Sequence, residues 1–511
     1  MSTVYQIQPP VPLQESLLWR IQQLSYDAQG MEAWAADKTP SYITSNPHFA
    51  ASTARVILGM LVDIGEPVTI VELGAGTGRF SWLLLNALVE AVAACPVPVP
   101  DWMLVMTDAA PSLVSAWQQH PQLRAHVGVG RLDFARFDAT APRAIRLREH
   151  RRLLAPGPRI VLANYLWDSL PQDAYEVGSG SVEALHIGLA CDADPSDLDA
   201  PTLMSQLRLV QSRAEPPALT GPVAEKLTAY AERLTRPTAA LVPAAAMSCI
   251  DWLARQGPVA VLSADKGVAA PEHITDGEPL PVVIHGGSTS MSVDFTMLDD
   301  ATEAAGGWSL TGCTDEPLFL HHLTVRGFSP GQLSRGAMAF QQAFSPGGGY
   351  ARYALCRATV AEDRAPSLDR LLALLSLTRW DPDILYTLSG AIHAHSEALT
   401  LAHRAALLSA LRRVGRNTFA AAGDDDVDRL IARLCDALSD PAGAEGAWER
   451  HILHRGESVE ALHGRALALS MLGRPEEALD CIQRALPLAG HAQRANLKQW
   501  ATALSAWSKE A

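Results

Sequence analysis

The sequence contains no paired-cysteine motif. Its seven cysteines, at positions 95, 191, 249, 313, 356, 435 and 481, are scattered, and no C-x-x-C occurs. Such spacing argues against a disulfide framework and a zinc site, and suits reduced thiols in a cytoplasmic protein. No apolar run reaches the roughly 18 residues that a membrane span needs. Met1 to Pro12 show neither the charged nor the apolar region of a secretory signal. Positive charge is also in short supply: 41 Lys and Arg face 55 Asp and Glu, a net charge of −14. A chain this acidic is not expected to bind nucleic acid or a membrane surface as a whole. A local basic run, Arg143, Arg146, Arg148, Arg151 and Arg152, reads either as a patch or as the solvated face of a helix over 141–152.

What is present is ample apolar material, 48% of 511 residues, enough for two or three globular domains. The chain is organised around Val68-Thr69-Ile70-Val71-Glu72-Leu73-Gly74-Ala75-Gly76-Thr77-Gly78-Arg79-Phe80. An apolar strand meets three glycines at alternate positions, and the run from Trp82 to Leu88 promises a helix. Glycines allow the tight turn and close approach of backbone N–H groups to a ligand. No Gly-Lys-Ser/Thr follows, which excludes a phosphate-cradling P-loop. An acid two residues ahead of the glycines would oppose a pyrophosphate but suits a cationic ligand.

Further strands are expected at 103–108, within 126–138, at 159–163 and at 259–265. Ligands of doubly wound sheets gather at the carboxyl ends of the strands. Asp108 ends the second strand and can accept hydrogen bonds from both hydroxyls of a ribose. Asp138, with Asp133 as its rival, can face an adenine amino group. Asn164, Tyr165 and Asp168 follow the fourth strand, where they either meet a second substrate or, for Asn164 and Asp168, cap the next helix. Residues 13–37 and 48–63 read as helices, with the polar stretch Thr39 to Pro47 between them either a lid or a plain connection. Residues 190–250 read as a helical insertion. His285, His321 and His322 read as structural.

Glu72-x-Gly74-Ala75-Gly76-x-Gly78 resembles motif I of the class I S-adenosyl-L-methionine methyltransferases. More specifically, residues 13–330 resemble the MidA-like methyltransferases, whose mitochondrial members assist respiratory complex I assembly and methylate an arginine. The matching segments are Ile43-Thr44-Ser45-Asn46-Pro47, Asp108-Ala109-Ala110-Pro111-Ser112-Leu113, Ala163-Asn164-Tyr165-Leu166-Trp167-Asp168-Ser169-Leu170-Pro171 and Ser290-Met291-Ser292-Val293-Asp294-Phe295. The family's glutamate after the strand-four Asn is Tyr165 here. A guanidinium favours carboxylate partners, so this change bears on arginine as the acceptor.

The resemblance implies a Rossmann-like doubly wound sheet over residues 1–330, with a helical lid at 1–65. S-adenosyl-L-methionine would be held by Glu72, Gly74, Ala75, Gly76, Gly78, Asp108 and Asp138, and Asn164, Tyr165 and Asp168 would be catalytic. After Pro330 strand signals fade. Residues 459–490 match a tetratricopeptide (TPR) repeat, with Ala461, Leu462, Ala466, Leu469, Gly473, Ala478, Ala485 and Leu486 at repeat-like positions. Residues 331–511 are therefore expected to form a TPR-like helical domain, either binding a protein or serving as a cap or homodimer contact. The function expected is methylation of a protein nitrogen. The alternatives are a cofactor-binding assembly protein without turnover and a small-molecule methyltransferase.

Overall fold

The computed structural model describes residues 4–30, 43–285, 287–312, 319–345, 349–395, 399–421 and 425–510. The chain divides into two compact units, Met1–Ala351 and Arg352–Ala511.

The first unit is built on a twisted sheet of seven principal strands. These are β1 (Val68–Leu73), β2 (Trp102–Asp108), β3 (Leu132–Arg136), β4 (Arg159–Asn164), β5 (Val259–Val268), β6 (Trp308–Gly312) and β7 (Phe319–Arg326). Their spatial order is β3-β2-β1-β4-β5-β7-β6. The first five run parallel, and β7 lies antiparallel between β5 and β6. The central strands read as continuous apolar runs because helices cover both faces. This is the Rossmann-like doubly wound sheet expected from the sequence. Strand order reverses between β1 and β4, which opens a crevice at their carboxyl ends.

Two helices border that crevice, α1 (Leu17–Gln29) and α3 (Arg79–Ala93), and α2 (Pro47–Ile64) packs on α3. The Asn46 side chain caps α2 by accepting the Phe49 N–H at 2.8 Å, Pro47 occupies the first turn, and Gly65 ends the helix in a left-handed conformation. α2 packs closely on the helix Ser334–Phe344. A Cβ at Gly59 would lie 2.9 Å from the Arg335 backbone, so only glycine permits the approach. Asp63 accepts from Arg335 at 2.9 Å, and His321 stacks on Phe344 with ring centroids 4.1 Å apart. The first unit thus continues beyond residue 330.

Three local expectations are corrected. Tyr5–Pro12 is a strand and not part of a helical lid; Pro9, Pro10 and Pro12 preclude a helix there, and pairing with Ser181–Cys191 supplies the ladder. Residues 190–250 are not wholly helical. Arg208–Ala214 and Thr238–Val242 join Asp173–Gly178, Ser181–Cys191 and the N-terminal strand in a second, antiparallel sheet, and the α-helices are Ala200–Gln206, Gly221–Arg233 and Ala244–Ala254. Residues 141–152 form no helix. The buried Asp133 carboxylate accepts the N–H groups of Arg148, Glu149 and His150 and holds the segment as an irregular loop. Asp133 therefore holds chain and is no rival to Asp138.

The second unit is helical throughout its described residues. From Val427–Ala437 onward each helix packs on the next, through Pro441–Arg455, Val459–Met471, Pro475–Leu488 and His491–Glu510. Small residues set the spacing: a Cβ at Gly464 would lie 2.5 Å from the Trp448 ring. Ala461, Ala466, Ala468, Ala478 and Ala485 are all fully buried.

Candidate functional site

The glycine turn between β1 and α3 is held from several sides. Gly74, Gly76 and Gly78 all adopt positive φ, +63°, +52° and +83°. The Ala75 N–H donates to the Thr107 carbonyl at 2.9 Å, and the Trp117 indole N–H to the Gly76 carbonyl at 2.9 Å. A Cβ on Gly78 would lie 2.8 Å from Met106 Cε. Gly78→Ala should therefore destabilise the fold by about 1–2 kcal/mol from left-handed backbone strain alone. Urea unfolding would show it as a lower midpoint at unchanged slope.

Below the turn, the Glu72 carboxyl is buried and accepts from the Ser81 hydroxyl. Burial pushes its pKa up to about 7 against the Ser81 bond, and the Asp108 charge adds to the rise. Asp108, at the end of β2, accepts the Ala110 N–H at 3.0 Å and the Gly76 N–H at 3.3 Å. Burial pushes it up to about 6 against these backbone donors. Asp138 accepts the Thr140 N–H and hydroxyl on one oxygen, at 2.9 and 2.6 Å. Glu72, Gly74, Ala75, Gly76, Asp108 and Asp138 all line one cavity of about 470 Å³, together with Asn164 and Tyr165. Gly78 stands behind that wall, where it starts α3.

Beyond β4, Tyr165 takes a left-handed φ of +48°. Its N–H donates to the Ala264 carbonyl at 2.8 Å, and its ring packs against Phe319 with centroids 5.1 Å apart. The Asn164 side-chain nitrogen is enclosed and meets no acceptor among the described residues.

Asp168 is not on the cavity wall. The short 3-10 turn Trp167–Ser169 carries it inward, with the Trp167 indole donating to Ser263 Oγ at 2.7 Å. There it lies beside the fully buried Asp265, which accepts the N–H groups of Leu166 at 3.1 Å and Asp168 at 3.2 Å. Burial raises the pKa of both carboxyls, the Asp168 charge raises Asp265 further, and Lys266 pulls Asp168 down. The sequence placed Asp168 with Asn164 because both follow β4; it could not show that one turn directs them to different sides.

The helical lid expected over 1–65 includes α1, but none of the α1 residues that line the cavity was singled out from the sequence as a site residue. Trp19, Gln22, Gln23 and Tyr26 of α1 line it. The Gln22 amide donates to the Ser169 carbonyl and accepts the Thr289 N–H, both at 2.8 Å. The Tyr26 hydroxyl lies 2.5 Å from Ser288 Oγ, and burial pushes its pKa up to about 12. The available signal was the spacing, since positions 19, 22, 23 and 26 share one helix face. Thr44 and Ser45 also reach the wall, whereas residues 39–42 of the expected lid lie outside the described residues. Of the charged residues lining the cavity, Glu15, Asp27, Glu72, Asp108 and Asp138 are acids and Arg20 is the single base. The cavity therefore favours a ligand with positive charge.

No protein-family model and no curated protein matches the chain. Three similar solved structures come from Burkholderia thailandensis. One is an uncharacterised protein, 15% identical, covering 63% of this chain and 88% of its own, with a TM-score of 0.41. Another, of the same superfamily, is a candidate methyl transferase bound to S-adenosyl-homocysteine, 15% identical, covering 63% and 89%, with a TM-score of 0.43. A third is an O-methyltransferase family protein, 11% identical, covering 62% and 64%, with a TM-score of 0.26. The strand order β3-β2-β1-β4-β5-β7-β6 by itself defines the fold.

Proposed function

We propose that the protein is an S-adenosyl-L-methionine-dependent methyltransferase. The observation that carries the reading is the convergence of Glu72, the glycine turn and Asp108 on one acidic cavity at the switch point of the sheet. Its volume, about 470 Å³, suits a ligand the size of a nucleoside conjugate. Asp108 keeps acceptor capacity beyond its two backbone bonds and would take the ribose hydroxyls. Glu72 offers negative charge to the cationic end, and Asp138 has an oxygen free of its bonds to Thr140 for the adenine amino group. The bound cofactor supplies an activated methyl group. The protein's part is to hold a nucleophile in line with it, about 3 Å away, and to exclude water.

Asn164 is the group best placed for the second substrate. Its enclosed amide nitrogen lacks a partner, which a ligand acceptor atom would satisfy, while its oxygen can orient an N–H. Asn164→Ala should leave cofactor affinity nearly intact and slow single-turnover transfer by about 100-fold, the scale of a lost orienting contact. Wild-type transfer rates in that variant would remove Asn164 from the site. We further propose a protein nitrogen as the methyl acceptor, with the helical unit selecting the target.

One observation favours a second reading, a cofactor-binding assembly protein without turnover. Tyr165 packs on Phe319 and Asp168 turns inward, so neither supplies a carboxylate to the acceptor side. Incubating the protein with methyl-labelled cofactor and cell lysate separates the readings. Label in protein supports the first, label in small molecules redirects the acceptor, and bound cofactor with no transferred label supports the second.

A further inference from the structure

A second cavity lies at the other edge of the main sheet, among the amino ends of β1, β2 and β4. Its volume is about 330 Å³, and Thr69, Met103 and Arg159 come to it from the three strands. Its charged residues are Arg152, Arg159 and Glu66, an excess of one positive charge in a chain of net charge −14. Arg159 is only 3% exposed. One guanidinium nitrogen, Nη2, donates to the Ala155 carbonyl at 3.0 Å. Nε and Nη1 are enclosed and meet no acceptor, and no carboxylate pairs with Arg159 among the described residues. Burial without a counter-charge lowers its pKa.

A buried guanidinium stays charged in proteins, and leaving it unpaired is strongly unfavourable. A well-packed apolar side chain would serve the fold better, so a cation at this position points to an occupant. Glu66 and Arg152 are exposed at the rim and do not neutralise it. We propose that this cavity binds a small oxyanion, a phosphate group, with Arg159 as its buried anchor and Arg152 at the mouth. Phosphate matches the donor geometry of guanidinium and carries enough charge to offset both arginines. The site is remote from the glycine turn, being at the opposite ends of the same strands, and it does not depend on the function proposed above.

Titration of the full chain with inorganic phosphate tests the proposal. The expected result is saturable binding, and a Tm several degrees higher than in chloride of equal ionic strength, as mass action requires of a ligand that binds the folded state. Arg159→Met should abolish both effects while its Tm in chloride is at least that of the wild type, because an uncompensated cation has been replaced by apolar volume. Arg152→Gln should weaken phosphate severalfold without changing the Tm in chloride. Glycerol phosphate binding as tightly as phosphate identifies a phosphate monoester as the source; binding of phosphate alone identifies the free ion. Absence of saturable binding by the wild type, or an undiminished phosphate response in Arg159→Met, overturns the proposal. So does a fall in the chloride Tm of Glu66→Gln with no phosphate response in the wild type, which would make Glu66 the partner of Arg159. Cofactor binding should be unchanged in all three variants, so failure here and failure of the methyltransferase reading are separable.

Discussion

Asp108→Ala should lower the affinity for S-adenosyl-L-methionine by roughly 30- to 150-fold, the equivalent of about 2–3 kcal/mol for lost hydrogen bonds to a charged acceptor. Two effects combine. In the proposed binding mode the ribose hydroxyls lose their acceptor, and the Gly76 and Ala110 N–H groups lose the carboxylate they share, which loosens the glycine turn. Calorimetric titration reads the change directly, and unchanged affinity would sink the ribose assignment. A pH series adds a second check. Burial raises Asp108 to about 6 and Glu72 to about 7. Their folded-state pKa values lie above the unfolded ones, so the folded protein holds the extra protons. Stability of the free protein from this source is fully present below about pH 4 and is lost as pH rises through 6 to 7. A cationic ligand prefers the ionised carboxylates. Its affinity should therefore rise over the same interval and level off above pH 7, and in Asp108→Ala the step near pH 6 should be missing.

The largest stability effect is expected at Asp265. Its side chain is fully buried and accepts three backbone N–H groups, from Leu166, Asp168 and Lys266, the last at 2.9 Å. Asp265→Ala strands these donors away from water and should cost about 3–5 kcal/mol, since each unsatisfied buried donor costs about 1–3 kcal/mol before the chain relaxes. The same bonds hold the turn after the strained Tyr165, so Asn164 and Leu166 should shift with it. Denaturant unfolding should show the loss, and single-turnover transfer should fall further than cofactor affinity, because the proposed cofactor contacts Glu72, Asp108 and Asp138 lie at or beyond β1, β2 and β3 and not on this turn. Asp265→Asn, which keeps one acceptor oxygen, should lie between the variant and the wild type. Wild-type stability in Asp265→Ala would mean that the turn is held by its own packing.

The placing of the central strands, the glycine turn and Asp108 was legible because each is a local signal. Val68–Leu73 is an uninterrupted β-branched and apolar run, alternate glycines mark a turn that other residues strain to enter, and an acid at a strand end has a position before it has a partner. The helix pair within 459–490 was legible for a similar reason: its small residues recur at helical spacing, and two helices over 459–471 and 475–488 follow from that.

What the sequence by itself determined, then, was the order of elements and the chemistry offered at the carboxyl edge of β1 and β2. Only tertiary structure decided which side chains share a space. Tyr5–Pro12 became a strand because Ser181–Cys191, far away in sequence, supplied its hydrogen bonds. The loop after β3 was fixed by a buried carboxylate taking three backbone donors in place of a helix. Asp168 turned away from the cavity because Asp265 holds the preceding backbone, and α1 became the roof because Gln22 bridges Ser169 and Thr289. Each of these depends on a partner distant in the chain, and the energy of a hydrogen bond or a buried charge is a property of the pair, which no local pattern of residues encodes.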